Sequence, residues 1–102
     1  MRQKETAQAE DQRLKAVREA FWNNTPDGSH DLKQLRIILV ASDIVEDPSA
    51  EQIKAFFMLL PADIFGSALS WGFGDTEVRE RTFEFVERNK QAVLQAIKAV
   101  PA

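Results

Sequence analysis

The stretch 75–100 constrains this chain more than any other. Placed at about 100° per residue, Val78, Thr82, Phe85, Val86, Asn89, Ala92, Val93, Ala96, Ile97 and Val100 fall on one broad apolar arc. Glu77, Glu80, Glu84, Glu87, Gln91, Gln95 and Lys98 lie opposite. Phe83 and Leu94 widen the arc beyond what one neighbouring helix covers. The expected fold is therefore all-α: a compact bundle of four to five helices with a long C-terminal helix, from 76 to about 100, as its spine. The surplus apolar face either packs on several helices of its own fold or contributes to a homodimer through the C-terminal helix. Asn89, polar within the arc, would either fix helix register or bond a nearby carbonyl.

A chain of 102 residues has room for one core, so a single helical domain over 1–102 is expected. There is no Cys, which leaves packing as the source of stability and suits a reducing compartment. Residues 1–5 are followed by Ala7, Gln8, Ala9, Glu10 and Asp11, where an export signal needs an apolar stretch. The longest apolar runs, 37–41 and 55–61, fall short of the roughly 20 residues that cross a bilayer. A cytoplasmic protein without a membrane segment is expected.

Four further helices precede the spine. The first covers about 6–22 and turns Leu14, Val17 and Phe21 inward, with polar residues 1–10 frayed or disordered. Residues 23–29 end it in a turn set by Pro26 and Gly28. The second starts at Ser29 or Asp31 as N-cap and presents Leu32, Leu35, Ile38, Leu39 and Ser42 on one face. A strand over 37–41 is the competing reading, but no second strand exists to pair with it. Ser49 and Gln52 have capping-box spacing, so a third helix starts there and buries Ile53, Phe56, Phe57 and Leu60 before stopping at Pro61. A fourth, with Pro61 near its first position, presents Ile64, Phe65, Ala68 and Leu69, and Gly72 and Gly74 close it. Asp75 caps the spine.

Chemistry-bearing patterns are sparse. His30 is the sole histidine, and its neighbours Ser29 and Asp31 adjoin it in sequence, a spacing that rarely gives triad geometry. Asp43, Glu46 and Asp47 lack the alternation, glycine and closing Glu of a calcium loop. Gly72-Phe73-Gly74 lacks the third Gly and the Lys of a phosphate loop, and Asp75, Glu77 and Glu80 would repel an anion there. No enzyme activity, metal or cofactor is expected.

Charge is unevenly spread. Between 42 and 77 there are seven carboxylates against Lys54 alone, within a net charge of −3. Such a belt attracts a basic partner and repels phosphate. Trp71 and Phe73 flank Gly72, where two large aromatics are hard to bury together. The expected function is a non-enzymatic protein-binding module: a small regulator, inhibitor or immunity-type protein. Its partner surface comprises Asp63, Trp71, Phe73, Asp75 and Glu77, an aromatic anchor rimmed by acids. Ala68, Gly72 and Val78 also resemble the small-residue, turn-glycine and buried-aliphatic spacing of helix-turn-helix proteins. That resemblance implies a small DNA-binding regulator using residues 64–90. Against it, Arg81 stands where a second buried aliphatic belongs, and Glu77, Glu80, Glu84 and Glu87 weaken phosphate attraction, so nucleic acid is a disfavoured partner.

Overall fold

Helix start signals place most of the elements in the computed structural model, which describes residues 2–25 and 29–100, with side chains from Gln12 onward. Among the described residues six helices follow in order: α1 (Arg2–Asn23), α2 (His30–Ala41), α3 (Ala50–Phe57), α4 (Ala62–Trp71), α5 (Thr76–Arg88) and α6 (Lys90–Lys98). No strand occurs among the described residues, and 37–41 is helical. The all-α class holds, with one more helix than expected.

The starts of α2, α3, α4 and α5 carry their expected chemistry. Ser29 Oγ accepts the Leu32 N–H at 3.2 Å, so Ser29 rather than Asp31 caps α2. At α3, Ser49 Oγ accepts the Gln52 N–H while Gln52 Oε1 accepts the Ser49 N–H, at 3.2 and 2.9 Å. Two otherwise orphaned donors are satisfied reciprocally. Asp75 Oδ2 accepts the Val78 N–H at 3.2 Å to begin α5. Pro61 occupies the N-cap of α4, where its extended ψ of 155° directs the chain into the helix without a side-chain bond.

The spine is broken, correcting the expectation of one long C-terminal helix. Asn89 takes φ −125° and ψ 31°, between α5 and α6. Its Nδ2 donates to the Phe85 carbonyl at 3.0 Å, alongside its own backbone N–H, a back-bond of the kind that bends helices. The break lets the two halves meet different neighbours: α5 packs on α4 and α2, α6 on α3. The wide arc is thus absorbed within the chain, with Val78, Thr82, Val86, Val93 and Ile97 buried. Asn89 and Ala92 leave the arc for solvent. Neither α5 nor α6 exposes a large apolar side chain.

Two other inward assignments change. Val17 and Leu69 are about half exposed, because the inner face of α1 runs through Leu14, Arg18, Phe21 and Trp22, and that of α4 through Ile64, Phe65 and Ala68. α3 ends at Phe57 rather than running to Pro61. The N–H groups of Leu59 and Leu60 bond back three residues, to Phe56 and Phe57, and this tightened turn keeps Leu60 buried. Pro26 and Gly28 lie outside the described residues. α1 is helical from Arg2, while the side chains of 1–11, and with them the expectation of a frayed start, also lie outside them.

The core centres on Phe57, whose ring meets Phe21 (5.4 Å, stacked), Phe65 (5.5 Å, edge-on), Trp22 (5.7 Å) and Phe73 (6.2 Å, edge-on). Offset and edge-on arrangements set the positive ring edges against negative faces. Arg18 is also buried, at 7% exposure. Its guanidinium lies 5.1 Å from the centre of the Phe65 ring and donates to the carbonyls of Met58 and Phe57 at 3.2 and 3.4 Å. A cation thus sits on the negative end of α3. Burial pushes Arg18 below its ordinary pKa by stripping water from the charge.

Candidate functional site

The corner between α4 and α5 carries four of the five proposed partner-binding residues, Trp71, Phe73, Asp75 and Glu77. Its backbone is built around Gly72, which takes φ 83° and ψ 163°, a region that only glycine occupies readily. The Gly72 N–H closes α4 on the Ala68 carbonyl at 2.8 Å. From there the chain dives inward. The Phe73 N–H donates to Asp31 Oδ1 at 2.9 Å, across 42 residues of sequence, and the Phe73 ring is fully buried beside Phe57. Trp71, on the other side of the glycine, remains 74% exposed.

Phe73 is therefore removed from the partner surface: a ring with no solvent exposure cannot touch a partner. Asp63 is removed from the corner as well. It stands in the first turn of α4, which lies alongside the far half of α5, and lines an open groove of about 330 Å³ with Ile64, Arg81, Glu84, Phe85 and Arg88. Asp63 thus faces the second half of α5 rather than its start. Of the rest, Trp71 ends α4, and Asp75 and Glu77 stand at the start of α5 across the Gly72 turn. Glu77 also pairs with Arg81 at 2.9 Å along the exposed face of α5, and Glu84 with Arg88 at 2.6 Å.

The Ser29-His30-Asp31 group is dispersed. Ser29 caps α2, Asp31 holds the corner, and His30 lies over Gly74, so three sequence neighbours serve three different partners. Asp47 pairs with Arg36. Asp43 occupies the left-handed region at φ 58°, just after α2. No group of three or more His, Asp or Glu is placed to hold a metal ion among the described residues. The residue that sequence reasoning missed is Asp31, treated only as a cap or triad member. Its link to Phe73 has no local signature.

Gly72 gives a direct test of the corner. Gly72→Ala is expected to cost about 1–3 kcal/mol, because the added Cβ disfavours this backbone region and lies 3.4 Å from Asp31 Oδ1. Gly66→Ala, in mid-helix with nothing within 4 Å of the new carbon, is expected to gain up to about 1 kcal/mol. Urea denaturation of both variants reads the two signs. A neutral Gly72→Ala would mean that the corner tolerates another backbone path.

Comparison with protein-family models, with curated proteins and with solved structures finds no match to this chain.

Proposed function

We propose that the chain is a non-enzymatic protein-binding module, a small cytoplasmic regulator, inhibitor or immunity-type protein, that docks a basic partner through the α4–α5 corner. The observation that carries this reading is Trp71, 74% exposed at the end of α4, with Asp75 and Glu77 at the start of α5 across the Gly72 turn. A tryptophan left in water gives up a large burial gain, and a partner recovers that gain when it covers the ring. Tryptophan is also the residue type most often found to dominate binding energy, and acids at its rim select a basic surface. No single helix among the described residues is long and apolar enough to cross a membrane.

The test is affinity capture from the source cell with Trp71→Ala and Glu77→Lys variants. Trp71→Ala is expected to weaken capture about 30-fold, the value of a 2 kcal/mol hot spot, with an unchanged melting temperature. Glu77→Lys should weaken it further at low salt than at high salt. Capture undiminished by Trp71→Ala removes the proposed surface.

A second reading, a small helix-turn-helix DNA-binding regulator using residues 64–90, is favoured by the buried Ala68 and Val78 on either side of Gly72. It is opposed by α5 itself, where Glu77 and Glu84 already engage Arg81 and Arg88. Retention of generic duplex DNA in a low-salt gel shift would favour it over the protein-binding reading.

A further inference from the structure

The outer face of α2 combines exposure, apolar character and opposed charge in an order that complements itself. Ile37 and Val40 are 50% and 40% exposed in the middle of this face. Lys33, exposed one turn before Ile37, makes no ion pair among the described residues, whereas Arg36 is engaged by Asp47. Beyond the C-terminal end of α2, Asp43 and Glu46 are exposed and line a shallow groove of about 350 Å³ with Val40, Ile44 and Val45. The face therefore reads basic, apolar, acidic along its length.

Such an order fits a second copy of itself turned end to end. We propose that two copies of this chain associate through α2 in a two-fold, antiparallel helix pair. Ile37 of each copy lies on Val40 of the other, and the same register brings Lys33 opposite the groove. Its methylenes cover Val45, and its ammonium lies between Asp43 and Glu46. A two-fold axis makes every such contact twice, so an arrangement of this kind needs only one self-complementary patch.

Asp43 adds an independent reason. The Asp43 N–H bonds to the Val40 carbonyl and the Ile44 N–H to the Leu39 carbonyl, both at 3.1 Å, a Schellman closure in which the left-handed position normally belongs to glycine. An aspartate there bears the cost of positive φ and places a negative charge at the negative end of α2. Within the monomer this residue works against stability on both counts. Opposite a partner's lysine, its carboxylate has a role.

A twelve-residue helix is about 18 Å long, so the contact is smaller than the roughly 1,000 Å² expected of a stable dimer. The association is weak and reversible, with a Kd between about 10 and 1,000 μM. Sedimentation equilibrium of the full chain up to about 1 mM tests it. Ile37→Glu and Lys33→Glu are each expected to raise Kd at least about tenfold with unchanged circular dichroism, since both positions are exposed. Lys33→Glu combined with Glu46→Lys should recover part of that loss, because the symmetric pair is re-formed with its signs exchanged. Asp43→Gly should raise the melting temperature while weakening association. A wild-type chain that stays monomeric throughout overturns the proposal, and so does a dimer indifferent to Ile37→Glu and Lys33→Glu. Both results concern α2 alone and leave the Trp71 surface untouched.

Discussion

Phe57→Ala is expected to lower the unfolding free energy by about 4 kcal/mol, the largest effect of any single truncation in the chain. The ring is fully buried and stands at the centre of an aromatic group drawn from α1, α4 and the α4–α5 corner. Its removal opens a void against Phe21, Trp22, Phe65 and Phe73 at once. The rings around it are held by separate elements, so collapse into the space requires several helices to shift together. A domain of this size has only about 5–15 kcal/mol in total, which leaves the variant close to unfolding at physiological temperature. Urea titration followed by tryptophan emission checks the value, because Trp22 sits 5.7 Å from the Phe57 ring. A loss below about 1.5 kcal/mol would show that the aromatic group is not the keystone of the core.

Arg18→Ala comes next, with an expected loss of about 2–3 kcal/mol. Three contributions disappear together: the charge-assisted bonds to α3, the contact over the Phe65 ring, and the packing of the side-chain stem. They are not equal. The Phe57 carbonyl also accepts the Leu60 N–H, whereas for the Met58 carbonyl the Arg18 bond is the only one found among the described residues. Desolvation offsets part of the charge's benefit, as the lowered pKa of Arg18 indicates. Arg18→Met, which keeps the stem and leaves one carbonyl orphaned, is therefore expected to recover about half of the loss. Thermal and chemical denaturation of the two variants side by side separates packing from charge. Equal losses for Ala and Met would assign the whole effect to the guanidinium.

Arg18 also marks where sequence reasoning stopped short. An arginine four residues after Leu14 and three before Phe21 occupies the inner face by helical spacing, although arginine is almost never fully buried unless paired. The carbonyls that receive it belong to residues about 40 positions away. The same holds for the proposed partner surface. Trp71 and Phe73 flank one glycine and look equivalent in the sequence, but one is bare and the other fully buried. Asp63 shares the acidic character of Asp75 and Glu77, but its place against the second half of α5 sets it apart from them.

From the sequence alone came the all-α class, the capped starts of α2, α3 and α5 and most of the buried positions, since these depend on bonds and spacings spanning three or four residues of the chain itself. Only the tertiary structure decided that the last helix breaks at Asn89, that a cation enters the core, and that Phe73 rather than Trp71 turns inward. Asp31 holds the Phe73 backbone from 42 residues away, and no local pattern specifies a partner brought close by folding.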